Sequence, residues 1–127
     1  MFKAIAMIKR KPGTTMEQLI DHYENKHAVL AMERVPNLKK YVRHYLHPYG
    51  NNVYGKDQEA PYDVITEIWF DDREDFEKAM AYLTEPETAA IIGEDEERVF
   101  DRSSIRFMTL EDHETEINYD FQNKRYF

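Results

Sequence analysis

Residues 2 to 10 set Phe2, Ala4, Ala6 and Ile8 against Lys3, Ile5, Met7 and Lys9, the period-two alternation of a strand with one fully buried face. Lys11-Pro12-Gly13 ends it. Thr14 or Thr15, followed three residues later by Glu17 or Gln18, is a capping-box signature, and Leu19, Tyr23, His27 and Leu30 then recur at helical spacing up to about Arg34. A first helix is predicted there. Val35-Pro36-Asn37 breaks it, and Leu38 to Tyr49, rich in β-branched and aromatic residues, reads as a second strand.

The stretch from Pro48 through Pro61 is polar and turn-rich, which predicts a loop of about a dozen residues that acts as a lid or a disordered connection. Tyr62 to Phe70 is the third strand. Asp71-Asp72 opens a helix over Arg73 to Leu83 with Phe76, Ala79, Met80 and Leu83 as its apolar stripe. Thr84-Glu85-Pro86 starts a further helical piece through Ala89, Ala90, Ile91 and Ile92 to Val99-Phe100, and Ser104 to Leu110 alternates as the fourth strand. The order β-α-β-β-α-β defines an α+β, ferredoxin-like domain with a four-stranded antiparallel sheet. Helices on one side leave the other sheet face bare, and a second copy of the chain, related by two-fold symmetry, is the expected cover.

At 127 residues the chain fits one domain, and the absence of cysteine excludes disulfides, thiolate nucleophiles and cysteine-based metal sites. Cytoplasm is the default compartment. The apolar stretch of MFKAIAMIKRKPG is broken by Lys3 and too short to span a bilayer, so no membrane partner is expected. A net charge of -8 argues against nucleic-acid binding.

Four of the five histidines and four of the nine tyrosines fall between His22 and Tyr49. Histidine titrates near neutrality and a tyrosine hydroxyl can donate to a developing oxyanion, so this segment is the lead to function. On a regular α-helix, residues five apart are rotated by roughly 140°, which keeps His22 and His27 from sharing one ion; no metal is expected. Alternation places Tyr41, Arg43, Tyr45, His47 and Tyr49 on one side of the second strand, with Val42, His44 and Leu46 on the other. Ile68 and Phe70 suit packing on helices, so Asp63, Glu67 and Trp69 are assigned, with Tyr41, Arg43, Tyr45 and His47, to the opposite face. Glu67 is expected beside Arg43 as an ion pair, and Trp69 as a wall of the cavity or of the dimer.

Lys11-Pro12-Gly13 with Glu17-Gln18-Leu19, then His22-Tyr23 and His27, Pro36-Asn37-Leu38 with Tyr41, Asp63-Val64 with Glu67-Ile68-Trp69-Phe70, and Phe100-Asp101 together resemble the EthD-like family of dimeric α+β barrels. The resemblance spans residues 1 to 112, leaving 113 to 127 as a C-terminal tail that packs on a partner subunit. It implies a homodimeric, cofactor-independent lyase or isomerase, of decarboxylase, dehydratase or cyclase type, for a small carbonyl-bearing aromatic, lactone or polyketide. By similarity to the methylmuconolactone methylisomerases, His27 would shuttle a proton and Tyr41 would polarise the carbonyl. Arg43 would hold a substrate carboxylate, and Tyr45, His47, Trp69, Glu67, His22 and Tyr23 would line the site. The alternatives are a non-catalytic binding protein for a hydrophobic metabolite or haem-like ligand, and a cofactor-free oxygenase.

Overall fold

The computed structural model describes residues 1–49 and 60–127. Its sheet contains β1 (Phe2–Arg10), β2 (Lys40–Tyr45), β3 (Val64–Phe70) and β4 (Phe100–Thr109), in the antiparallel order β2-β3-β1-β4. Helices α1 (Met16–His22) and α2 (Ala28–Arg34) flank a π-helical segment, Tyr23–His27, and α3 (Arg73–Leu83) and α4 (Pro86–Val99) follow β3. This is the α+β, ferredoxin-like arrangement expected from the strand and helix order.

Local chemistry explains the element ends. Thr15 accepts from the Gln18 amide while the Gln18 side chain accepts from the Thr15 amide, so two otherwise unpaired donors are satisfied where α1 begins. Asp72 caps α3 by accepting from the Asp75 amide at 2.8 Å, and Pro86 occupies the first turn of α4, where its missing N–H costs nothing. The fourth strand starts at Phe100 rather than Ser104, because Phe100 and Asp101 pair with Arg10 and Lys9, and a register shift between Met7 and Lys9 accommodates Arg102 to Ile105 before Arg106 pairs with Met7. Ser104 Oγ closes the irregularity by accepting from the Lys9 amide at 2.9 Å. The second strand ends at Tyr45, short of Tyr49, and the loop expected from Pro48 to Pro61 lies mostly outside the described residues.

All four helices lie on one sheet face. One apolar cluster joins Ile8, Leu19, Tyr23, Val64, Val99 and Phe100, and a second joins Ala4, Phe70, Phe76 and Ala79. Burying each large side chain of this kind stabilises the fold by about 1.5–3 kcal/mol, so these clusters fix how the first helical segment and α4 sit on the sheet. Ala4 pairs with Ile68, Ala6 with Thr66 and Ile8 with Val64, which places the even-numbered residues of β1 and β3 toward the helices.

The register of β2 corrects the expected face assignment. Tyr41 pairs with Ile68, Arg43 with Thr66 and Tyr45 with Val64, so Tyr41, Arg43 and Tyr45 face the helices, whereas Glu67 and Trp69 face the open side with Lys40, Val42 and His44. The alternation within each strand is as expected, and β2 joins β3 with the opposite parity. Both sides of β2 carry polar and apolar groups, which leaves composition unable to choose between them. The C-terminal segment, expected as a tail that packs on a partner subunit, ends in a small hairpin of β5 (Tyr119–Asp120) and β6 (Arg125–Tyr126).

Candidate active site

The π-helical segment builds the site. The amide of Ala28 donates to the carbonyl of Tyr23, five residues back, and this wider turn stacks residues five apart along one side of the segment. His22 and His27, which an α-helix would have separated, therefore converge. Both meet Asp95 of α4: His22 Nε2 lies 3.0 Å from Asp95 Oδ1 and His27 Nδ1 lies 2.8 Å from Oδ2. An ionised carboxylate only accepts, so each of these ring nitrogens carries the donated proton.

His27 is buried, with its side chain 7% exposed. Desolvation pulls its pKa below the ordinary histidine value, and the Asp95 hydrogen bond and charge only partly oppose that pull. The ring is therefore neutral at neutral pH, held edge-on against Tyr23 and Phe100 at centroid distances of 5.3 and 5.1 Å. A neutral imidazole whose Nδ1–H is fixed by a carboxylate is arranged as a general base.

Tyr23 links this dyad to a cluster of hydroxyls under β2 and β3. Its hydroxyl shares a 2.6 Å hydrogen bond with Thr66 Oγ1 and accepts from the Tyr41 hydroxyl at 3.3 Å. Burial raises the pKa of both tyrosines, which keeps them protonated and able to donate. Tyr45 donates to Glu24, its own pKa raised by burial and by that carboxylate. Glu96, next to Asp95, is desolvated as well, and burial raises its carboxyl above the usual range although Arg102 lies 3.5 Å away.

Arg43 is engaged elsewhere than expected. Its Nε and Nη2 donate to the two oxygens of Glu24 at 2.9 and 2.7 Å, a two-pronged pair that pulls the Glu24 pKa down. The guanidinium also lies over the Tyr41 ring at 4.7 Å. Glu67 is thus not its partner, because the strand parity puts them on opposite faces. Glu67 instead takes a hydrogen bond from His44 and another, at 3.2 Å, from Trp69 Nε1. Of the residues assigned to one site, the structure brings together His22, Tyr23, His27, Tyr41, Arg43 and Tyr45, and separates Glu67 and Trp69 from them. His47 is exposed and lines a cleft of about 660 Å3 with Met16, Ile20, Asp21 and Glu24.

A second cleft, of about 560 Å3, opens where His22 and Asp95 reach the surface, with Lys26, Arg98 and Val99 around it. Its size suits a small organic ligand. Among the described residues no group of three or more His, Asp or Glu side chains is placed to hold a metal ion.

A family model described as the EthD domain matches residues 11–103. The chain belongs to the EthD family. Solved structures agree on the fold. An EthD family protein of Bacillus halodurans is 23% identical with a TM-score of 0.58, covering 89% of this chain and 100% of that one. A dimeric protein of ferredoxin-like fold from Bacteroides fragilis is 16% identical with a TM-score of 0.53, covering 87% and 95%. SnoaB of Streptomyces nogalater, a cofactor-independent oxygenase, is 9% identical with a TM-score of 0.51, covering 90% and 94%. A sequence search of curated proteins returns no match. No helix among the described residues of this EthD protein is long and apolar enough to cross a membrane.

Asp95 and Glu96 are the site residues that sequence reasoning missed. They sit in the run Glu94-Asp95-Glu96-Glu97, which reads as a solvated helix face. A signal was present: Thr88, Ile92, Asp95 and Val99 recur at helical spacing, so Asp95 falls on the inward stripe of α4.

Proposed function

We propose that this EthD protein is a cofactor-independent lyase or isomerase, acting as a homodimer, that moves a proton on a small carbonyl-bearing aromatic, lactone or polyketide metabolite. The observation that carries this reading is the single Asp95 carboxylate accepting from both His22 and His27 beside a cluster of protonated tyrosine hydroxyls. His27 takes the acidic hydrogen next to the carbonyl, and Asp95 stabilises the imidazolium that forms. Tyr41, with Tyr23, donates to the enolate oxygen. Return of the proton to another carbon, or expulsion of a β-leaving group with its electron pair from the enolate, completes the reaction, and proton transfer of this kind requires no redox group.

The carboxylate-holding role first given to Arg43 moves elsewhere, because Arg43 is already paired with Glu24. Lys26, at the cleft beside His22 and Asp95, takes that role, which favours a substrate carrying an acid group.

The test is turnover of a panel of carbonyl acids by the wild type, His27→Gln, His22→Gln and Tyr41→Phe, with oxygen uptake followed in parallel. The proposal expects turnover without oxygen consumption, a loss of roughly 10²–10⁴-fold in His27→Gln, and a smaller loss in His22→Gln. If His22→Gln carries the larger loss, the base is His22 and the role given to His27 is wrong. Oxygen consumed in proportion to product would replace the lyase or isomerase reading with an oxygenase.

A further inference from the structure

His22 and His27 meet one carboxylate with different nitrogens and in different surroundings. His22 bonds Asp95 through Nε2 and His27 through Nδ1, so the nitrogen outside the contact is Nδ1 in the first ring and Nε2 in the second. His27 is walled by the rings of Tyr23 and Phe100, and its side chain is 7% exposed. His22 is 20% exposed and borders the cleft that Lys26, Arg98 and Val99 also line. Solvent therefore reaches the first ring and is largely kept from the second.

The shared carboxylate also limits how many protons the two rings can add. Asp95 carries one negative charge and offers one oxygen to each ring, so it neutralises one imidazolium and not two. The neighbouring charges act in the same direction. Arg98 of α4 lies 3.8 Å from Asp95 Oδ1, and Lys26 of the π-helical segment stands at the same cleft. Glu96, the next acid of α4, faces Arg102 at 3.5 Å, while Phe100 of β4 and the protonated Tyr23 bring no charge. Burial, and then the positive charge of His22, hold the His27 pKa down against the pull of Asp95. The less buried ring is thus the less costly place for a single added proton.

We propose that His22 and His27 are the acid and the base of one proton shift: the pair holds a single added proton on His22, which His22 gives to one carbon of the substrate while His27 takes a hydrogen from another. This rests on the proton-transfer reading above and gives it a substrate class, an acid-bearing β,γ-unsaturated lactone or ketone whose double bond moves into conjugation with the carbonyl. The C–H bond next to the carbonyl breaks, its proton goes to Nε2 of His27, and its electron pair enters a dienolate. The dienolate takes the Nδ1 proton of His22 at the γ carbon and re-forms the carbonyl. Positive charge passes from His22 to His27, and Asp95 keeps its negative charge throughout. After release, water removes the proton from His27 and restores one to His22.

Nitrogen-15 NMR of the histidine side chains in the full-length protein, followed from about pH 8.5 to pH 5, counts and places the proton without any substrate. As pH falls, His22 should take its proton at Nδ1 first and His27 in a separate, later step. His22→Gln should raise the His27 midpoint by about half a pH unit or more, because a like charge has gone. If His27 protonates first, or if its midpoint does not move in His22→Gln, the pairing is overturned; the wild-type order decides the point even where a variant folds poorly. A carboxylated β,γ-unsaturated five-membered lactone in D2O then reports the chemistry, since proton NMR reads α-hydrogen exchange and double-bond migration on one sample. Wild type should do both, His22→Gln should lower the ratio of migration to exchange about tenfold or more, and His27→Gln should lower both together. An unchanged ratio in His22→Gln overturns the role given to His22 and leaves His27 standing as the base. Neither exchange nor migration with wild type overturns both readings.

Discussion

Asp95→Asn is the substitution with the clearest expected cost. The carboxylate accepts from two imidazole rings, at 3.0 and 2.8 Å, with its side chain 16% exposed. An amide keeps one acceptor and turns a donor toward the other ring, so one charge-assisted hydrogen bond is lost and two N–H groups face each other. The loss should be about 1.5–3 kcal/mol at pH 7.5. The pH dependence is a sharper signature than the size. His27 is held below its ordinary pKa by burial, so its neutral form contributes stability that is complete above the unfolded value and is lost as pH falls toward the folded one. Removing Asp95 leaves desolvation unopposed and lowers the folded pKa further. The variant should therefore fall further behind wild type on acidification, by up to about 1.4 kcal/mol per pH unit once wild-type His27 has protonated. Urea unfolding followed by circular dichroism at pH 7.5 and pH 5, at one fixed protein concentration, measures both quantities. Equal midpoints at pH 7.5, or a gap that narrows at pH 5, would refute the assignment of Asp95 as the group holding both histidines.

Tyr23→Phe removes the 2.6 Å bond to Thr66, leaving a buried hydroxyl unpaired, and should lower stability by about 1–3 kcal/mol in the same urea assay. Gly93→Ala places a Cβ 3.1 Å from the mobile end of the Arg102 side chain, which can swing away; the gain in helix propensity should then raise the thermal midpoint of α4-dependent unfolding, by at most ~1 kcal/mol of stability. Thr15→Ala removes the hydroxyl that accepts from the Gln18 amide, leaving the reciprocal bond from the residue-15 amide to the Gln18 side chain, and should cost about 1 kcal/mol, with no change in the pH dependence. Glu24→Gln removes the carboxylate that pairs with Arg43 and accepts from Tyr45, so the Tyr45 phenol should ionise at lower pH, which ultraviolet titration against wild type would record.

The fold was legible because alternation and helical spacing both read cleanly. Phe2 to Arg10, Tyr62 to Phe70 and Arg73 to Leu83 announce their periods, and the caps at Thr15 and Asp72 sit where the local chemistry requires them. The site was legible in membership more than in geometry. His22, Tyr23, His27 and Tyr41 were identified, but the rule that separates residues five apart assumes 3.6 residues per turn, and a π-helical segment leaves no mark in hydrophobic periodicity. The parity of β2 was hidden for another reason: its two faces differ little in polarity, so only pairing with β3 decides which one meets the helices. Asp95 lay inside a run of acids whose usual role is solvation, although its spacing from Thr88 and Val99 put it inside.

The central claim is that Asp95 fixes His27 as a neutral base for abstracting hydrogen next to a carbonyl. Exchange of such hydrogens for deuterium can be followed by proton NMR in D2O on a panel of enolisable lactones and keto acids, without knowing the natural product. Wild-type protein should accelerate exchange in at least one class, with the effect lost in His27→Gln and reduced in Asp95→Asn. Exchange that the wild type does not accelerate, or that His27→Gln accelerates equally, would contradict the account.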